Sequence, residues 1–219
     1  KQIFDSYNDF FTRKIRAEER PVNPDANALV SPSDGKVSVY KIHENGHFLI
    51  KHTEYTLEQL LQDKKLAKRY LDGHIYVIRL TVDDYHRYCY AADGRKSGQR
   101  KIAGILHTVN PVANDVYPIY KMNSREYCLI KTEQFGTLLQ MEVGALMVGK
   151  ISNNQQGLGF VHKGVEKGRF EFGGSTIILL TQKNVVIPDR DLLEHTGSGM
   201  ETLVKMGEQI GRSANRLDA

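Results

Sequence analysis

Residues 75 to 82 alternate in two registers, with Ile75, Val77, Arg79 and Thr81 on one side and Tyr76, Ile78, Leu80 and Val82 on the other. A period of two predicts a strand. Alternating Val37 and Val39, and the runs 101 to 112, 126 to 131, 137 to 149 and 185 to 187, predict further strands, with bulges at Gly144 and Gly149. Residues 169 to 180 read as one long strand interrupted by Gly173-Gly174-Ser175-Thr176, a costly place for two glycines. Gly157, Gly159, Gly164 and Gly168 lead up to it as tight hairpins.

Helical spacing is confined to short stretches. Phe4, Tyr7, Phe10 and Phe11 share a face and are followed by Arg13, Lys14, Arg16 and Arg20, a basic cluster that ends at Pro21. Thr56 opens a second helix with Gln59 at capping-box spacing; Leu57, Leu60, Leu61, Ala67 and Leu71 form its apolar stripe, and Asp72-Gly73 stops it. A helical turn from 189 to 195 precedes a glycine-rich tail. No repeat or boundary divides the chain. The pattern predicts one domain over residues 1–219, α+β and predominantly β, an antiparallel sandwich or distorted barrel with peripheral helices.

Composition narrows the function. At 219 residues and 40% hydrophobic the chain can bury a core, and 30 Lys+Arg against 26 Asp+Glu leave a net charge of +4. That is too mild for a dedicated nucleic-acid binder and supports only a weak attraction to anionic surfaces. Cys89 and Cys128 make no disulfide framework and no Cys-x-x-Cys pair, which suits a reducing, intracellular setting. The histidines form no ligand set, so no metal is expected. No apolar run approaches the roughly 18 to 20 residues of a membrane span.

Spacing eliminates familiar chemistries for Gly173-Gly174-Ser175-Thr176. A phosphate-binding loop needs a lysine before Ser175 or Thr176, and a nucleophile elbow needs glycine where Ile177 stands. Two readings remain. One is a purely structural break. In the other the Ser175 hydroxyl attacks the Gly174 carbonyl, which lacks side-chain cover; the ester eliminates to dehydroalanine and hydrolyses to a pyruvoyl group, parting residues 1–174 from 175–219. His86, within Asp84-Tyr85-His86-Arg87 at a strand end, is the best-placed proton carrier, against an ordinary turn histidine. Asp34, in Ser31-Pro32-Ser33-Asp34-Gly35, reads as a turn former before a catalytic acid.

Arg169-Phe170-Glu171-Phe172-Gly173-Gly174-Ser175-Thr176, Asp84-Tyr85-His86-Arg87, Ser31-Pro32-Ser33-Asp34-Gly35 and Phe10-Phe11-Thr12-Arg13-Lys14 together resemble the phosphatidylserine decarboxylase family, in the family's order and over most of the chain. The resemblance implies cleavage at Gly174/Ser175, with Ser175 becoming a pyruvoyl cofactor. Its ketone would form a Schiff base with the substrate amine and accept the electrons released with carbon dioxide. It implies that His86 assists decarboxylation or protonates the carbanion, and that Asp34 belongs to a self-cleavage triad with a histidine three residues after His86. That position is Cys89. Three outcomes stand open: Cys89 as base, His86 or His107 in its place, or a chain that does not mature.

The resemblance further implies phosphatidylserine as substrate, phosphatidylethanolamine as product, two cleaved chains that stay associated, and a peripheral position on an anionic membrane surface at the cytoplasmic face. A homodimer is compatible with it. The alternatives are a pyruvoyl-dependent decarboxylase of a soluble amino acid and a non-catalytic lipid-binding relative.

Overall fold

The strand β14 (Ser175–Thr181) is buried at every residue, and the molecule is layered around it. The computed structural model describes residues 4–50, 53–104, 119–144, 150–171 and 175–214. The other strands are β1 (Ala28–Val30), β2 (Gly35–Lys41), β3 (His47–Ile50), β4 (Thr53–Thr56), β5 (His74–Leu80), β6 (Arg87–Cys89), β7 (Gly94–Lys96), β8 (Arg100–Ile102), β9 (Arg125–Lys131), β10 (Thr137–Val143), β11 (Ile151–Asn153), β12 (Gly159–Val161), β13 (Glu166–Phe170), β15 (Val186–Pro188), β16 (Thr202–Val204) and β17 (Gln209–Ser213). Helices are short: α1 (Tyr7–Phe11), α2 (Leu57–Leu61), α3 (Lys64–Ala67), α4 (Ile119–Met122) and α5 (Arg190–Gly197).

Nine strands form the main sheet in the order β12-β7-β9-β10-β14-β5-β2-β16, with β8 also on β9. Every pairing is antiparallel; β14 lies between β10 and β5, with Ser175 opposite Leu80 and Thr176 opposite both Val143 and Arg79. The described strands close no barrel, and the α+β, predominantly β class holds. Alternation in β5 sorts its residues into two cores. Ile75 and Val77 join Met141, Ile178 and Leu180 beneath α2 and α3, while Tyr76, Ile78 and Leu80 join Ile177, Leu179, Tyr88 and Phe170 on the other side. A sheet covered on both faces has no polar register, which is why β14 reads as a continuous apolar run.

The second core lies partly under a three-stranded sheet, β11-β13-β6. Residues 169 to 180 are therefore not one interrupted strand: β13 and β14 belong to different sheets. The chain passes from the main sheet to the smaller one between β5 and β6, and the described residues on either side are joined to β14 and β13: Ser175 pairs with Leu80, and Phe170 N donates to His86 O at 2.9 Å. In the second core Lys167 Nζ sits 2.6 Å from Glu142 Oε2 with both side chains fully buried, and donates to Asn153 Oδ1 at 2.7 Å.

Other expectations change. The helix from Thr56 does form its cap, Thr56 Oγ1 accepting from Gln59 N at 3.2 Å, but Gln62 takes a left-handed conformation and Asp63 caps a new turn through Leu66 N. Several short turns replace one helix. β10 pairs without a register shift and ends at Val143, so Gly144 closes the strand and makes no bulge. The glycine-rich tail also carries strands that its sequence did not predict: β16 adds to β2 and β17 lies between β1 and β15. Most of the expected strand 101 to 112, with His107, and Gly149 lie outside the described residues, as do Gly173 and Gly174.

Candidate active site

One end of the main sheet collects the chemistry. There the last residue of β5 meets the first of β14, while β2 begins at Gly35, paired with Val204. Gly35 has φ +146°, and a Cβ there would stand 2.7 Å from Arg79 O, so no other residue admits this close approach of strands. It brings the 31 to 34 loop against β6, where Cys89 N donates to Pro32 O at 2.8 Å.

Ser175 is fully buried, and its Oγ has no hydrogen-bond partner. Leaving a hydroxyl so placed costs about 1 to 3 kcal/mol, which calls for a reason. His86 is in the same condition. Asp84 folds the preceding turn by accepting from Thr81 N at 2.6 Å and Thr81 Oγ1 at 2.9 Å, and His86 Nδ1 lies 2.9 Å from Asp84 O. A carbonyl only accepts, so Nδ1 carries the proton and Nε2 the lone pair. Nε2 is buried without a partner. Burial pushes the His86 pKa down to about 4, against smaller opposite effects of Asp84 and Asp34, so the ring is neutral at physiological pH. The site thus holds an unused donor, Ser175 Oγ, and an unused acceptor, His86 Nε2.

Asp34 and Cys89 lie at the same end with different attachments. The Asp34 carboxylate is forked by Arg20, Nε at 2.7 Å and Nη2 at 2.5 Å, and accepts from Met206 N at 2.9 Å. Those contacts leave it oriented by an arginine, and its influence on His86 is electrostatic. Arg20 therefore lies at this end of the sheet, although in the sequence it was one of a basic cluster with no assigned partner. Cys89 is fully buried; its Sγ donates weakly to Ser31 O at 3.9 Å, and burial pushes the thiol up to about 12. Sequence reasoning also missed Phe11, whose ring lies over His86 with centroids 3.9 Å apart. Its place in an aromatic helical face marked it for burial but could not name what it covers.

A pyruvoyl group made from the chain's own serine fits these residues, since Ser175 Oγ is desolvated, unpaired and at the start of a strand held on both sides. A desolvated serine hydroxyl and a neutral imidazole at the same end of the sheet, both without hydrogen-bond partners, are groups that a self-processing, pyruvoyl-forming decarboxylase would use. Comparison with known proteins narrows the class. A family model for phosphatidylserine decarboxylase matches residues 7–212. The chain is 46% identical over 213 residues to phosphatidylserine decarboxylase proenzyme 2 of Clostridium acetobutylicum, covering 97% of this chain and 72% of that protein. It is 42% identical to the phosphatidylserine decarboxylase proenzymes of Fusobacterium nucleatum, over 96% of this chain and 71% of that one, and of Clostridium botulinum, over 95% and 71%. The chain belongs to the phosphatidylserine decarboxylase family, whose pyruvoyl cofactor arises by self-cleavage.

Proposed function

We propose that this chain cleaves itself between Gly174 and Ser175 and then decarboxylates phosphatidylserine to phosphatidylethanolamine. The observation that carries the reading is the buried, unpartnered Ser175 hydroxyl at the head of β14 in a chain of this family. His86 is the base. Its Nε2 takes the Ser175 proton as Oγ bonds to the Gly174 carbonyl carbon, and the peptide nitrogen of residue 175 leaves with a proton. Cys89 is assigned a packing role, because a thiol pushed up to about 12 is not ionised near neutrality. Asp34, held by Arg20, stabilises the imidazolium that forms.

When present, the pyruvoyl group supplies an electron sink for the bond that releases carbon dioxide. In turnover His86 Nε2 receives a proton from the substrate ammonium and returns it to the carbon that has lost its carboxylate. Lipid rather than a soluble amino acid as substrate is supported by the relatives' names. Phe10, Val82, Met200 and Leu203 are exposed apolar side chains on segments flanking the site, and exposed Lys14, Lys36 and Lys205 share that end. Exposed apolar residues with lysines on the same segments suit a peripheral contact with an anionic membrane, the cytoplasmic face being the one rich in such lipids. Among the described residues no helix is long and apolar enough to cross a membrane.

Intact-mass measurement of the purified protein tests this. The expected result is two pieces divided before residue 175, the second with a blocked amino end, together with carbon dioxide release from phosphatidylserine vesicles. A chain that stays whole and releases none refutes it; release from soluble serine instead would move the substrate to the amino acid.

A further inference from the structure

The Arg87 side chain gathers three segments. Its Nε donates to Thr12 O at 2.9 Å and Arg13 O at 3.2 Å, and its Nη1 to Glu166 Oε1 of β13 at 2.8 Å. Thr12 caps the C-terminal end of α1, where carbonyls have no helical partner and a cation is favoured. The last residue of that helix is Phe11. It is 2% exposed yet lies outside both hydrophobic cores, and its ring is tilted 34° over His86 at 3.9 Å. A five-residue helix has little stability of its own, so the position of Phe11 depends on what ties it down.

We infer that Arg87 and Phe11 are positioning residues for His86: Arg87 fastens the end of α1 to β6 and β13, and the Phe11 ring then roofs the imidazole and keeps water from Nε2. The inference rests on His86 being the base. A base that must receive a proton from a buried hydroxyl works as the free lone pair, and bulk water at Nε2 would both occupy it and stabilise the imidazolium. The charged groups facing His86 are Arg13 from the stretch after α1, Asp34 from the loop before β2, and Asp84 from its own turn. The two carboxylates pull the ring toward protonation, and Arg13 and the loss of water oppose them, so removing the roof leaves the carboxylates to act.

The test uses the full-length chain with Ser175→Ala, which cannot cleave, and follows the His86 ring by nitrogen-edited NMR. The titration midpoint is expected near 4 with the roof in place. It should move toward the ordinary value of about 6.5 in Phe11→Ala and Arg87→Ala. With Ser175 restored and the chain made by cell-free synthesis, cleavage of Phe11→Ala should be about fourfold slower at about pH 6 than at about pH 8, while the parent is equal at both. A merely structural role would slow both alike. Should an alanine variant fail to fold, Phe11→Leu and Arg87→Lys are read in the same way. Folded variants with an unmoved midpoint overturn the inference. His86→Gln reports separately on the base: if it cleaves normally, that assignment fails whatever the roof does.

Discussion

Lys167 Nζ and Glu142 Oε2 stand 2.6 Å apart with neither side chain exposed to solvent. Glu142 Oε2 also accepts from Gln99 Nε2 at 3.1 Å and Asn153 Nδ2 at 3.2 Å, which offsets part of the desolvation of the pair. Burial still raises the Glu142 pKa, with Lys167 acting against it. Lys167→Met alone strands a carboxylate and should cost about 3 to 5 kcal/mol. Adding Glu142→Leu should recover most of that loss. Urea denaturation of both variants in the Ser175→Ala chain measures it, and equal losses would mean the pair is not coupled.

Arg125 tests a different kind of buried charge. It donates to the carbonyls of Leu60, Gln59, Lys121 and Asn123, tying the end of α2 to the end of α4. Burial pushes its pKa down to about 10. Arg125→Met removes all four of these hydrogen bonds and should destabilise by about 2 to 4 kcal/mol. Arg125→Lys, which cannot span them all, should fall between.

Acid should weaken the fold through its neutral histidines. Burial holds both His86 and His74 at about 4, below the ordinary 6.5. The unfolded chain takes up their protons as pH falls through about 6.5, whereas the folded chain does not until about 4, so their stabilisation is complete above the first value and lost on the way to the second. Urea midpoints should drop between about pH 7 and pH 5, and the drop should shrink in His74→Gln and His86→Gln. A midpoint flat across that window contradicts it.

Cys89 separates the two candidate bases. With its thiol held up near 12, it should resist alkylation in the folded chain and react on unfolding. Cys89→Ala should cleave at the parent rate, apart from a modest loss of stability. Arrested cleavage in a folded Cys89→Ala would return the proton transfer to the thiol.

The strand expected at 75 to 82 was legible, although it runs His74–Leu80 and leaves Thr81 and Val82 in the following turn, because its two apolar faces meet two separate cores. The end of the first turn near Gln62 was not, since a left-handed glutamine (φ 49°) carries no local signature comparable to glycine. Residues 202 to 213 hide their strands because each is short and half exposed, and only partners far along the chain, β2 and β1, make them strands. The motif residues Ser175, His86, Asp34 and Cys89 do gather at one sheet end. What the motifs could not express is the pairing among them: Arg20 claims Asp34, and Phe11 covers His86. Both partners come from the first twenty residues, where aromatic and basic spacing looks the same whether it faces water or a site.

The placement of β14 between β10 and β5 bears on how the molecule ages. With the backbone parted ahead of Ser175, the shorter piece still supplies a central strand of the main sheet, the edge strand β16, and β17 between β1 and β15. Folding would then have happened once, as a single chain, and the cut would remove the covalent link that made it unimolecular. Denatured mature enzyme should regain activity poorly and in a concentration-dependent way, while uncut Ser175→Ala refolds readily. The durability of the working enzyme would accordingly be set by how slowly the sheet opens, and each molecule would have one folding to last its lifetime.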